Sequence, residues 1–170
     1  MIHIRAATER DACGLPEIER SAGAVFRTWA GLEWIADDAV QSPDQHRALV
    51  AHGVALVAEV QAGEIAGFLN GELAPDALHI WQVAVRHDQQ GRGIGQRLME
   101  AVQPLALQRG VNSLTLTTFR DVPWNEPYYQ RLGFRTLQEG ELNQRLKGIL
   151  AREAQAGLPV EQRCAMRKSL

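Results

Sequence analysis

Several absences narrow this sequence before any motif does. No apolar run approaches the ~20 residues that cross a bilayer, so no membrane partner is expected. An excess of charge is also missing. Lys and Arg number 18 against 20 Asp and Glu, for a formal net charge of −2 and a pI near 6.2. A chain that neutralises many phosphates needs a strong basic excess, so no nucleic-acid partner is expected either. Cysteine is scarce: Cys13 and Cys164 stand far apart in no metal-ligand spacing, which reads as two reduced thiols and no bound metal. The start, Met1-Ile2-His3-Ile4-Arg5, has no apolar signal region and reads as a first strand, so the expected location is the cytoplasm. Repeats, low-complexity tracts and interdomain linkers are absent. Residues 1–170 are expected to form one domain of ordinary soluble composition, 45% hydrophobic and 22% charged.

What is present alternates between the periods of strand and helix. Residues 2–6 read as a strand, and Thr8 is placed to cap a helix over 10–26 with Leu15, Ile18, Val25 and Phe26 in the core. Residues 29–40 keep a loose helical spacing, and Ser42-Pro43-Asp44 opens a short helix. Residues 54–60 and 65–72 form a hairpin around Gln61-Ala62-Gly63-Glu64. After a turn at Pro75-Asp76 come a strand over 78–85, a helix over 93–108 that Pro104 should kink, and a Thr-rich strand over 113–119. A short helix over 126–132, a strand after Gly133-Phe134, a helix over 141–156 and a strand over 163–168 complete the order. That order predicts an α/β (α+β) fold, a mixed sheet with helices on its faces. The tryptophans Trp29, Trp34, Trp81 and Trp124 are expected mostly in the core.

One stretch stands apart. Val83-Ala84-Val85 closes a strand, and Gln90-Gly91-Arg92-Gly93-Ile94-Gly95 opens the next helix. Glycine lets backbone approach a ligand closely, and a helix N-terminus offers unpaired N–H groups and partial positive charge, so the loop suits a phosphate or pyrophosphate. A P-loop needs Gly-Lys-Ser/Thr, and here Gly95 precedes Gln96. A dinucleotide loop needs a third glycine where Gln96 stands, and belongs to the first strand–helix unit of its domain. Both readings fail.

The run Gln90 to Gly95 resembles the Q/R-x-x-G-x-G/A signature of the GCN5-related N-acetyltransferase superfamily, and Asn125, Tyr129 and Gly133-Phe134 resemble its second landmark. The resemblance covers nearly the whole chain. It implies a single domain on a mostly antiparallel twisted sheet of about seven strands, splayed at the acyl-CoA site. It also implies acetyl-CoA as cosubstrate, no metal, and direct attack of a primary amine on the thioester. Main-chain groups of Val83, Ala84 and Val85 would meet the pantetheine arm and acetyl carbonyl. Gln90, Gly91, Arg92, Gly93, Ile94 and Gly95 would hold the pyrophosphate, although Arg92 could equally face solvent.

Tyr129 falls where the family often places a general acid for the CoA thiolate, a role open to a phenol that is protonated at neutral pH. Tyr128 would point about 100° away on a helix. Asn125 would bond the pantetheine amides, cap the following helix, or both. Where many relatives carry a glutamate base this chain has His79, whose ordinary pKa near ~6.5 suits proton abstraction; Glu72 and Glu33 are the alternatives. Glu33, Asp37 and Asp38 would form either an acidic wall for a cationic amine or a solvated helix face. The acceptor is left as a small-molecule or peptide amine. A homodimer, a different acyl donor and a non-catalytic acyl-CoA sensor all stay open.

Overall fold

The computed structural model describes residues 1–170. The chain is α/β, with strand order β1-β2-β3-β4-β5-β7-β6. It divides into two compact units: Met1–Leu73 with Ile80–Leu105, and Ala74–His79 with Ala106–Leu170.

In the first unit, β1 (His3–Ala6) pairs antiparallel with β2 (Val54–Gln61), which pairs antiparallel with β3 (Glu64–Leu73) through Val57↔Phe68 and its neighbours. Leu15 and Ile18 of α1 (Leu15–Gly23) pack with Val57, Phe68 and Ala84, the last on β4 (Leu78–Val85). The expected helix over 10–26 is broken into pieces. Asp11 turns back to accept from the Thr8 N–H at 2.7 Å and takes two bonds from the Arg5 guanidinium, at 2.8 and 3.0 Å. These bonds close a single tight turn at Glu9–Asp11. Pro16 cannot donate inside a helix but is tolerated in its first turn, so α1 starts only at Leu15. Thr8 therefore caps a turn and not a long helix.

The second helix behaves as its sequence predicts. Ser42 Oγ accepts from the Gln45 N–H at 3.1 Å, Gln45 Oε1 accepts from the Ser42 N–H at 2.7 Å, and α2 runs Pro43–His52. The long helix α3 (Ile94–Gln108) continues through Pro104. Of the four tryptophans none is fully buried, and Trp34 is 41% exposed.

In the second unit, β4 pairs parallel with β5 (Ser113–Phe119) at Leu78↔Leu114 and His79↔Thr115. Strand β5 is antiparallel to β7 (Arg163–Ser169), and the two-residue β6 (Arg135–Thr136) pairs antiparallel with β7. The sheet is thus mixed and mostly antiparallel. Helix α4 spans Glu126–Arg131. The helix expected from 141 begins later, because Asn143 Oδ1 takes the Leu146 N–H at 2.9 Å and so caps α5 (Gln144–Gln155).

Candidate functional site

The glycine loop belongs to the first unit, and close packing fixes where it starts. A Cβ on Gly67 of β3 would lie 2.9 Å from the Ala84 carbonyl oxygen and 3.2 Å from Ile94 Cγ2. Only glycine lets β3, the end of β4 and the first residue of α3 approach so closely. The Gln90 side chain folds back and donates to the Val85 carbonyl at 3.0 Å. Its amide group thus braces the loop, and the Val85 carbonyl already has a partner.

Beyond Gln90 the backbone turns through Gly91 at φ 78° and Gly93 at φ 77°, with open space where a Cβ would stand on either. None of the N–H groups of residues 91–96 meets an acceptor in the chain; the first to do so is that of Arg97, to the Gly93 carbonyl at 3.1 Å. A row of unsatisfied donors at the start of a 15-residue helix suits an anion. Arg92 bonds only Gln89, and neither Arg92 nor Arg97 enters an ion pair. Arg86, by contrast, is committed to Glu64 and Asp88. Arg97 was not singled out from the sequence, although its place in the first turn after the glycines was the available signal.

The carboxylates expected on the acceptor side differ in their freedom. Asp37 is exposed and paired with Arg27 at 2.8 Å, while Glu33 holds the Gly31 N–H at 2.8 Å, so the two do not form an unpaired acidic wall. Glu72, exposed near the end of β3, accepts the Trp81 indole N–H on Oε1 at 3.1 Å. Its second oxygen bonds nothing in the chain.

The remaining predicted residues lie in the second unit. Asn125 precedes α4 but does not cap it. Its backbone (φ −118°, ψ −112°) lies outside the extended region of an N-cap, its side chain accepts no helical N–H, and Oδ1 is buried without a partner. The Asn125 carbonyl takes the Tyr129 N–H at 3.0 Å. The Tyr129 ring is half-buried, edge-on to Phe134 at 5.8 Å and to Tyr128 at 5.3 Å. Burial first, then Tyr128, push its phenol above the ordinary range, so it stays protonated. Its hydroxyl donates to no other group of the chain.

His79 is placed differently from a base. It is 2% exposed, and Nδ1 lies 2.9 Å from Thr115 Oγ1 and 3.2 Å from Arg145 Nη1. A guanidinium only donates, so Nδ1 presents its lone pair to it. Thr115 Oγ1 accepts from Arg145 Nη2 at 3.1 Å and directs its own proton to the same Nδ1. The ring proton then sits on Nε2. Burial first, and the Arg145 charge second, push the imidazole down to about 3, with Asp76 opposing. In this geometry the basic nitrogen of His79 is engaged by Thr115 and Arg145 and not offered to an amine.

Around His79 lies a network that the sequence did not disclose. Asp76 accepts from Arg145 Nε at 2.9 Å, Arg167 Nη2 at 2.7 Å and Asn143 Nδ2 at 2.9 Å. Arg145 holds the Asp76 carboxyl well below the usual carboxylate range. Glu126, 8% exposed, is likewise engaged by Asp121, Thr136 and Cys164. No group of His, Cys, Asp and Glu side chains is placed to hold a metal ion, and no helix is long and apolar enough to cross a membrane.

The model of the Acetyltransferase (GNAT) family matches residues 24–134. L-2,4-diaminobutyric acid acetyltransferase of Halomonas elongata is 37% identical over 82 residues, a match covering 46% of this chain and 43% of that protein. The chain thus spans less than half the length of the curated relative it matches. PaiA N-acetyltransferase from Thermoplasma acidophilum in complex with coenzyme A is similar at a TM-score of 0.73 and 15% identity, over 100% of this chain and 99% of that one. N-acetylglutamate synthase from Neisseria gonorrhoeae, complexed with coenzyme A and N-acetyl-glutamate, is similar at 0.72 and 18% identity, over 100% of this chain and 35% of that one. At these identities the two structures establish the fold.

Proposed function

The chain belongs to the acetyltransferase (GNAT) family, and from that premise we propose that it moves an acetyl group from acetyl-CoA to a primary amine of a small molecule. The observation that carries the donor half is the row of unsatisfied N–H groups over residues 91–96, opened by two glycines at positive φ. These main-chain donors, with Arg92 and Arg97 as unpaired charges, hold the pyrophosphate. Asn125 Oδ1, a buried acceptor with no partner in the chain, takes an amide N–H of the pantetheine arm. Main-chain groups of Val83 and Ala84 meet the acetyl end.

In the transfer, the amine nitrogen forms a bond to the thioester carbonyl carbon and the carbon–sulfur bond breaks. One proton must then leave the nitrogen and one must reach the sulfur. Tyr129 supplies the proton that reaches the departing sulfur, a role supported by a hydroxyl that donates to no other group of the chain. The ammonium proton goes to Glu72, directly or through water, a role supported by the oxygen that Glu72 keeps unbonded while the Nδ1 lone pair of His79 is engaged. The name of the Halomonas elongata relative, L-2,4-diaminobutyric acid acetyltransferase, supports diamino acids as the first acceptors to try. The same reading places the chain in the cytoplasm, supported by two cysteines that form no disulfide.

A panel of diamines, amino acids and peptides at fixed acetyl-CoA, read by release of free thiol, tests the reading. Turnover of at least one small amine, with kcat/KM about 100-fold lower in Glu72→Gln, is the expected result. Acetyl-CoA binding without turnover of any amine would instead mark a sensor, and turnover only with a longer acyl-CoA would correct the donor.

A further inference from the structure

We propose that Glu126 is a positioning residue that keeps Asn125 from capping its own helix and so leaves Asn125 Oδ1 for the donor. The proposal rests on the reading of Asn125 as a donor contact. Its starting point is an anomaly of local structure. Asparagine is among the residues that cap helices best, and Asn125 stands directly before α4, yet its side chain takes no helical N–H.

The backbone on either side of that anomaly is unusual. Asp121 has φ 61° and is the one non-glycine residue of the chain in the left-handed region. Four residues on, Asn125 has φ −118° and ψ −112°. Glu126 spans this segment. Its Oε1 accepts the Asp121 N–H at 3.1 Å, and its Oε2 accepts the Thr136 hydroxyl at 2.6 Å and the Cys164 thiol at 3.7 Å. The carboxylate thus ties the strained turn to β6 and β7 while sitting in the first position of α4.

A buried carboxylate without a cationic partner is costly, and Glu126 enters no ion pair. Burial holds the Cys164 thiol protonated, pushed up to about 12, so it remains a donor. Without the clamp, the 121–125 turn is free to relax toward ordinary extended backbone at Asn125. Its side chain would then swing onto the Tyr128 N–H, the free donor in the first turn of α4 since Pro127 has none, and Oδ1 would be spent on the helix. The effect would reach Tyr129 as well, whose N–H bonds the Asn125 carbonyl.

The test combines amide hydrogen exchange at Asp121 with calorimetric titration of coenzyme A. In Glu126→Ala the Asp121 amide should exchange about tenfold faster or more, and coenzyme A should bind about tenfold more weakly. Asn125→Ala should weaken binding by a similar factor, and the double variant should bind no worse than Asn125→Ala alone, because both changes remove the same contact. Glu126→Gln, which still accepts the Asp121 N–H and can donate to Thr136, should restore affinity to within about threefold. Additive losses in the double variant, or unchanged affinity in Glu126→Ala despite a released Asp121 amide, would overturn the proposal. If Glu126→Ala does not fold, Thr136→Val carries the test, with a loss of about threefold that Asn125→Ala should abolish. A wild type that binds no coenzyme A sinks the functional reading and not the clamp; the clamp then fails only if Asp121 exchanges at the same rate in Glu126→Ala.

Discussion

The glycine loop of the first unit and the 121–129 segment of the second solve the placing of polar groups in opposite ways. In the loop the unbonded polar groups are main chain. Its N–H groups meet no acceptor in the chain, two glycines turn it through φ near 78°, and the Gln90 side chain only braces the start. In the second unit the unbonded polar groups are side chain. Asn125 Oδ1 and the Tyr129 hydroxyl are left unbonded while the buried Glu126 carboxylate holds the turn in front of them. A main-chain site tolerates changes of side chain but not of conformation. A side-chain site fails on a single atom.

Four substitutions sharpen this contrast, in falling order of effect. Tyr129→Phe removes one oxygen and should lower kcat about 100-fold with little change in KM for acetyl-CoA; an unchanged kcat removes Tyr129 from the reaction. Gly93→Ala adds one methyl group into open space, so any effect is conformational. Left-handed backbone costs an L-residue about 1–2 kcal/mol, and affinity for coenzyme A by calorimetry should fall about tenfold. Arg92→Ala should weaken the same binding only about threefold, as for an exposed ion pair, with the loss fading at high salt. A loss larger than that of Gly93→Ala would mean that side chains carry the loop after all.

His79→Gln should change activity least, leaving the acidic limb of the pH–rate profile in place. Its signature lies in stability. The folded pKa of about 3 is below the ordinary 6.5, so the unfolded chain binds the extra proton between those values. Stability therefore falls as the pH drops from about 6.5 toward 3, and the contribution is fully present above that window. Denaturant midpoints between pH 4.5 and 6.5 should slope less in His79→Gln than in the wild type, with the buried His46, whose pKa is also lowered, adding to the remaining slope and the half-buried Glu19, whose pKa is raised, opposing it.

The same contrast explains what was legible in the sequence. The loop was legible because it is local: glycine spacing, a preceding strand and a following helix are all read within one short run. Ser42-Pro43 foretold α2 for the same reason. The break in the helix expected over 10–26 was legible in principle from Pro16, but the pull of Arg5 on Asp11 comes from a neighbouring strand and not from helical period. The fate of His79 was not legible. Its partner Arg145 lies 66 residues on, and Asp76 meets Arg167 across 91. Spacing brought His79 to the base position, and only tertiary contacts show that its lone pair is occupied. The role of Glu126 was not legible for a similar reason, since Thr136 and Cys164 reach it only after the strands have formed.

The two cysteines differ as sharply as the two sites. Cys164 is buried, donates to Glu126 and is held protonated, whereas Cys13 is exposed beside Arg47. The folded chain therefore gives a thiol-directed label one address, and that address lies in the first unit. A fluorophore or spin probe attached there needs no cysteine to be engineered in or removed, and it leaves Asn125, Tyr129 and the glycine loop chemically untouched.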